Sequence, residues 1–166
     1  GHFRAEERPL TCICGRHDCL NLSATGFGLL SQMDKLDHQA FDTSKLSFYA
    51  ASLLAALKEP QTRELVEEAG RHLAPALDSV AKLLGPKMIV LGGYLGTDES
   101  YFNAVRSTLA DQFDYDPGTS FELVKGTVSS VEAASLLALH AFCYSDRLDY
   151  GRFAPALDQV GGQTHG

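Results

Sequence analysis

Apolar residues recur every three or four positions along much of the chain, and this period predicts amphipathic helices. A short helix is predicted over residues 23–33, with Ser23 as its N-cap. The next helix ends near Lys58, and three neighbouring polar residues are possible caps for it: Asp42, Thr43 or Ser44. A later helix begins at Ser100 and ends near Phe113.

The longest apolar stripe predicts a helix over residues 60–84. Pro75 should kink or split this helix, because proline removes one backbone hydrogen bond and clashes with the preceding turn. Gly85-Pro86 should end it. On its polar side, Glu68 and His72 are expected to face solvent.

Two short apolar runs predict strands. Residues 88–91 form a continuous apolar run between Gly-Pro and Gly-Gly, which is typical of a buried parallel strand. Residues 121–124 are the second candidate. A very apolar helix is expected over residues 131–142, closely buried, with His140 as a packed core histidine. Together these elements predict a helix-rich α/β fold with few strands, which looks like one half of a larger unit.

Length and charge narrow the function classes. The chain has 166 residues and a formal net charge of −7, from 14 Lys+Arg against 21 Asp+Glu. Such a length supports one ordinary core, and the acidic balance disfavours nucleic-acid binding by this chain itself. No apolar stretch approaches the roughly 20 residues of a membrane span. Without a basic and apolar leader at its start, the chain is expected to be cytoplasmic.

The cysteine positions point to a metal. Three of the four cysteines fall within eight positions, at Cys12, Cys14 and Cys19, a spacing typical of a metal site rather than of a disulfide framework. Gly15 would let the backbone turn so that Cys19 returns to the same ion. Cys143 lies far away in an apolar run and is expected to be a small buried residue.

Zinc takes four ligands from thiolates and imidazoles, so one ligand is missing from this set. By position, the candidates are His2 and His17, of which His17 would be cramped so close to Cys19. The competing interpretation is three reduced, unliganded cysteines in a loop, which would be exposed to oxidation.

The same segment resembles a known signature. Gly1-His2, nine intervening residues and Cys12-x-Cys14-Gly15-x-x-x-Cys19-Leu20 are similar to the zinc motif of the ROK family, which groups bacterial sugar kinases with sugar-responsive transcriptional repressors. Residues 86–93 are similar to the family's Pro-x-x-Ile-Val-Leu-Gly-Gly strand, and residues 131–134 occupy the place of its final Gly-Ala-Ala helix.

This resemblance implies an architecture. The chain would be the C-terminal lobe of an actin-like (ribonuclease H-like) ATPase-type fold, divided into a zinc knuckle at 1–22, the lobe at 23–150 and a tail at 151–166. The zinc ligands implied by the family motif are His2, Cys12, Cys14 and Cys19.

The resemblance also implies ligand sites. His2 and Asn21 would contact a sugar, although Asn21 replaces the family glutamate that in kinases hydrogen-bonds a sugar hydroxyl. Gly92 and Gly93 would lie beside a nucleotide, or would simply form a tight strand-to-helix turn. Asp18 replaces a family glycine and could strain its turn.

Three functions remain in view. The family's phosphate-binding Asp-x-Gly-x-Thr loop is not found in this sequence, so the chain is expected to be non-catalytic alone. The favoured function is the effector-sensing and dimerisation part of a ROK-family transcriptional regulator. It would bind a sugar or sugar phosphate, form a homodimer or homotetramer, and reach DNA only through an N-terminal domain absent from this chain. The alternatives are the C-terminal half of an ATP-dependent, glucokinase-like sugar kinase and a stand-alone zinc-knuckle interaction module.

Overall fold

The computed structural model describes residues 1–37, 41–118, 120–128 and 130–141. The chain divides into two compact units, Gly1–Thr127 and Val128–Gly166. Seven α-helices, two strands and two short 3-10 turns (Thr43–Lys45 and Pro60–Thr62, which lead into α3 and α4) form the described part. The helices and strands are α1 Leu20–Ser23, α2 Gly26–Gln32, α3 Leu46–Ala56, α4 Arg63–Leu84, β1 Met88–Leu91, α5 Gly93–Gly96, α6 Glu99–Gln112, β2 Glu122–Lys125 and α7 Ser130–Leu139.

The two strands form a parallel pair, as expected for β1. The register runs from Met88 opposite Glu122 to Leu91 opposite Lys125. Full burial of β1 was a wrong expectation, because Leu91 is buried whereas Met88 and Val90 are more than half exposed, at 51% and 56%. Side chains alternate along a strand, so the face that carries Met88 and Val90 lacks cover among the described residues.

The core of the first unit lies where α4 packs against α6. Val66 and Ala69 of α4 are buried there with Val105 and Leu109 of α6. The two helices approach closely at Gly70, where an added Cβ would lie 2.6 Å from the Tyr101 carbonyl oxygen. This close approach explains the glycine, which otherwise weakens a helix interior.

Side-chain caps begin three of the helical segments, not always at the predicted residue. The predicted helix over 23–33 is divided into α1 and α2, and Thr25 rather than Ser23 caps α2 by accepting from the Gly28 N–H at 3.3 Å. Asp42, one of three predicted alternatives, caps the turn before α3. Asp98 caps α6 two residues before the predicted start.

The long helix α4 continues through Pro75, so the predicted split does not occur. It ends where predicted, at Gly85, whose left-handed φ of 58° suits glycine.

The second unit contributes α7, which is apolar as predicted but not buried. Leu136, Leu137 and Leu139 are 57%, 68% and 50% exposed, and His140 is also exposed, so the expectation of a closely packed helix with a core histidine was wrong. A helix that is apolar all round is buried only where other elements pack on it, so its composition alone does not decide its burial. Cys143 lies outside the described residues.

Within the described parts of the chain, no helix combines the length and the apolar character needed to cross a membrane.

We predict that Gly70→Ala lowers the free energy of unfolding by about 1–3 kcal/mol, because the backbone of α6 has to move away from the new methyl group. Chemical denaturation of both proteins measures this difference. Gly92→Ala is the matched control, since a Cβ at Gly92 meets nothing within 4 Å. Equal losses in the two variants would contradict the assigned role of Gly70.

Candidate metal centre and adjoining pocket

A short antiparallel ladder folds the amino terminus back onto the cysteine loop. Arg4 and Cys19 form an isolated antiparallel bridge. The Leu20 N–H donates to the Phe3 carbonyl at 2.8 Å, and the Ala5 N–H donates to the Asp18 carbonyl at 2.7 Å. The ladder therefore places the beginning of the chain beside Cys19.

The loop between the first and last cysteines turns at Gly15. The Cys12 N–H donates to the Arg16 carbonyl, and the Gly15 N–H donates to the Cys12 carbonyl, both at 2.8 Å. Gly15 has a φ of +83°, a left-handed conformation that glycine adopts without strain. The turn that returns Cys19 to the other cysteines is thus the one predicted from the sequence.

Four side chains converge at this loop. His2, Cys12, Cys14 and Cys19 each offer one ligand atom, and these atoms all lie within 4.8 Å of one another. Cys12 Sγ lies 3.5 Å from His2 Nδ1, and Cys14 Sγ lies 3.3 Å from Cys19 Sγ. The group is a possible metal site.

The distances fit a tetrahedral ion. Ligands at about 2.3 Å for sulfur and about 2.0 Å for nitrogen define tetrahedron edges of about 3.5 Å between S and N and about 3.8 Å between two sulfurs. The Cys12–His2 distance equals the first of these. The Cys14–Cys19 distance is shorter than the second, and Cys14 is exposed and so has room to adjust.

The structure separates the two histidine candidates for the fourth ligand. His17 Nδ1 lies 3.0 Å from the Leu10 carbonyl oxygen, with which it forms a hydrogen bond, and the ring stays outside the cluster. Of the two, His2 is the histidine that the fold brings to the cysteines.

The thiols of the cluster differ in their ionisation. The pKa of Cys14 falls to about 6, chiefly through a hydrogen bond from the Arg16 backbone and also through the Cys19 side chain. Burial raises the pKa of Cys19, although Arg16 Nη2 lies 3.4 Å from its sulfur. Cys14 therefore offers a thiolate at neutral pH, the form that binds metals.

Asp18 does not strain the turn, contrary to expectation. Among the described residues, the non-glycine positions with positive φ are Asp34 and Asp114. The Asp18 carboxylate instead lies 3.4 Å from Arg4 Nε and 3.6 Å from Arg16 Nε. The Asp18 side chain thus joins Arg4 of the first segment to Arg16 of the cysteine loop.

A pocket of about 670 Å³ adjoins the cluster. Its wall includes Gly1, Asn21 and Gly92, so the predicted sugar residue Asn21 and the predicted nucleotide residue Gly92 share one cavity. His2, whose ring lies beside the cysteines, is not among the lining residues, but its neighbour Gly1 is. The Asn21 N–H donates to the Gly1 carbonyl at 2.8 Å, which joins the cluster to the pocket wall.

The two glycines after β1 have different surroundings. Gly92 is exposed in the pocket, whereas Gly93 has a φ of +74° at the start of α5, which fits the tight strand-to-helix turn. A Cβ at either position would meet nothing within 4 Å, so the space beside both glycines is open, but of the two it is Gly92 that lines the pocket.

Two tyrosines that line the pocket differ in burial. Tyr94 is 45% exposed and lines the pocket. Tyr101 is 4% exposed and donates its hydroxyl to the Ala24 carbonyl at 2.7 Å, and burial raises its pKa. Tyr101 thus packs in the core and also lines the pocket.

Sequence reasoning missed Thr25, which lines the same pocket. Its Oγ1 donates to the Asn21 carbonyl at 2.7 Å and lies 3.4 Å from Asn21 Oδ1. The available signal was a threonine just before a helix start, where a hydroxyl caps the first turn.

A second cavity, of about 820 Å³, lies along α4 and α6. Asn103 and Arg106 help to line it, and it contains none of the residues predicted from the motif.

Comparison with known proteins adds a family. The model of the ROK family matches residues 1–137. Kanosamine kinase of Amycolatopsis mediterranei (strain S699) is 28% identical over 93 residues, which cover 56% of this chain and 29% of that protein. N-acetylmannosamine kinase of Salmonella typhi is 28% identical over 112 residues, 68% of this chain and 36% of that protein. The chain thus spans about a third of the length of these curated relatives.

We predict that the purified chain carries one metal ion and that Cys14→Ser loses it, because serine does not supply a thiolate. Elemental analysis of protein purified without chelator gives the metal content of each variant. Cys143→Ser is the matched control and should keep the ion. A wild-type chain without metal, or a Cys14→Ser chain with the wild-type content, would contradict the site.

Proposed function

This chain belongs to the ROK family, and we propose that it is the effector-sensing and dimerisation part of a sugar-responsive transcriptional regulator. In this proposal residues 1–22 form a zinc knuckle, residues 23–150 form the C-terminal lobe of an actin-like fold, and residues 151–166 form a tail. A separate N-terminal domain of the full-length protein binds DNA, and the protein acts as a homodimer or homotetramer.

The proposed ion is zinc. Three thiolates and one imidazole form a soft ligand set that suits zinc in tetrahedral geometry. Four protein ligands leave no open position on the ion, so its role is to cross-link the knuckle rather than to activate water. With the ion bound, His2 is held against the cysteines, and Gly1 is held in the pocket wall beside Asn21.

The proposed effector is a sugar or sugar phosphate in the adjoining pocket. The observation that carries this proposal is the shared wall, where Asn21 offers an amide to the cavity and contacts the residue next to a metal ligand. An amide both donates and accepts, which suits a sugar hydroxyl. Tyr94 adds an exposed aromatic ring at the same cavity, and aromatic faces pack well on sugar C–H groups. The names of the two relatives suggest amino sugars as the first compounds to test.

Asn21 also favours a regulator over a kinase. The family glutamate at this position is charged, whereas the amide is neutral, so a sugar contact is kept in altered form. The alternative, the C-terminal half of an ATP-dependent sugar kinase, has its own support in the kinase names of the relatives and in Gly92, which would lie beside the nucleotide.

We predict that Asn21→Ala weakens sugar binding by about 3–10-fold, the usual worth of a neutral hydrogen bond. Titration calorimetry of the chain with N-acetylmannosamine and with kanosamine measures the affinity. Asn103→Ala is the matched control, because Asn103 lines the other cavity and should leave the affinity unchanged. Equal affinities of all three proteins would show that the sugar does not contact Asn21.

The two family activities are separated in the full-length protein. We expect the same sugars to change its affinity for DNA from its own promoter region, measured by fluorescence anisotropy, and to give no ADP above background when ATP is present. Sugar-dependent ADP formation together with phosphorylated sugar in the mass spectrum would contradict the proposed regulator function and support the kinase function.

A further inference from the structure

A compact charged cluster joins the knuckle to the long helix α4. It consists of Glu6, Arg8, Glu68 and His72 and is called the Arg8 cluster below. Arg8 Nη2 donates to Glu68 Oε1 at 3.1 Å, hydrogen-bonds His72 Nε2 and lies 3.7 Å from Glu6 Oε2. His72 Nδ1 lies 3.6 Å from the same Glu6 oxygen, which closes the cluster.

The cluster is not an ordinary surface pair. The Arg8 side chain is 18% exposed and the His72 side chain is 20% exposed, so the expectation that His72 faces solvent was wrong. The His72 ring and the Arg8 guanidinium both hold the pKa of Glu68 below its usual value. Charges that are partly shielded from water interact more strongly than exposed ones.

Arg8 also belongs to the backbone that carries the metal ligands. Its N–H donates to the His17 carbonyl at 2.8 Å, next to the pair that joins Ala5 to Asp18. This bond is out of register with the Arg4–Cys19 bridge, but it joins the same two backbone segments as the short ladder that places His2 beside Cys19. The Arg8 side chain thus connects this ladder to α4. One side of the ladder carries His2 and the other carries Cys19.

We propose that Arg8 is a positioning residue of the metal centre, which keeps His2 and Cys19 in register by anchoring their ladder to Glu68 and His72 on α4. The inference rests on the proposed zinc site and goes beyond it, because Arg8 is not a ligand. Without the anchor, the ladder can move relative to the turn that carries Cys12 and Cys14, so the four ligand atoms meet the ion less often.

A positioning role differs from a stabilising one in a measurable way. Arg8 Nε is buried without a hydrogen-bond partner among the described residues, and such a donor lowers the stability of the fold. Methionine at this position keeps an unbranched apolar stem and removes that donor. In the metal-free fold, the loss of the Arg8 contacts to Glu68 and His72 is offset by the removal of that buried donor, so Arg8→Met should be tolerated. The metal-bound form, by contrast, loses the anchor of its ligands.

The test is zinc competition between the full chain and a chromogenic chelator at neutral pH. We expect Arg8→Met to weaken zinc binding by about tenfold or more, the range seen when groups that orient metal ligands are removed. Glu68→Gln should weaken it in the same direction, and the double variant should lose less than the product of the two single effects, because both act through one contact.

Denaturation with and without zinc supplies the second readout. The extra unfolding free energy that zinc confers should fall in Arg8→Met, while the metal-free value stays near that of the wild type. Arg63→Met is the matched control, since Arg63 pairs with Glu67 on the same helix at 3.0 Å but stays 73% exposed. This variant should bind zinc as the wild type does.

The outcomes separate the inference from its premise. A wild-type chain that binds no zinc would remove the proposed zinc site and the inference with it. A wild-type chain that binds zinc, alongside an Arg8→Met chain that binds it equally tightly, would overturn the inference alone. If Arg8→Met loses the same unfolding free energy with and without zinc, Arg8 stabilises the fold and does not position the metal ligands.

Discussion

The described structure around the candidate metal site depends on the backbone pairing of the first few residues with the residues around Cys19. The chain beginning is one strand of that ladder, and the hydrogen bonds from Leu20 to Phe3 and from Asn21 to Gly1 hold it in place. Two strands of a few residues are marginal alone. Two neighbouring features can stabilise such a small element. One is the cluster of three cysteines and His2 beside the ladder, and the other is the contact of Arg8 with Glu68 on α4.

The cysteine–histidine cluster and the pocket use neighbouring residues at Gly1 and His2, which links the two places through the backbone. Gly1 lies in the pocket wall and His2 in the cluster, with Asn21 bonded across to Gly1. Behind them, the buried hydroxyl of Tyr101 holds the Ala24 carbonyl at the end of α1. The cavity is therefore lined both by residues beside the cysteine loop and by residues of α4 and α6, so a change in either part alters the shape of the cavity.

The parts that sequence reasoning placed well are local. The cysteines lie within eight positions, and a glycine turn between them suffices to bring them together, so the cluster and the turn at Gly15 follow from spacing. The ends of α4 likewise depend on neighbouring residues, as the left-handed Gly85 shows. Spacing alone did not decide whether His2 or His17 lies beside the cysteines. That depends on the pairing of Arg4 with Cys19, which is not visible as a local sequence pattern.

Burial and pocket walls were harder to predict because they depend on which elements meet. Apolar composition predicted a buried α7 and a doubly covered β1, yet Leu137 and Val90 are exposed, since composition does not say what packs on a given face. Thr25 and Gly92 line one cavity although they lie far apart in the sequence. The burial of His72 was missed for the same reason, because its partner Arg8 lies 64 positions away in the sequence.

The place of Gly1 has a practical consequence. Gly1 is exposed, lies in the wall of the pocket and accepts a hydrogen bond from Asn21. A Cβ at this position would lie 3.7 Å from Asn21 Oδ1, an ordinary contact distance. A substitution at Gly1 therefore offers a way to add bulk beside Asn21 at the pocket wall while all four side chains of the cysteine–histidine cluster stay unchanged.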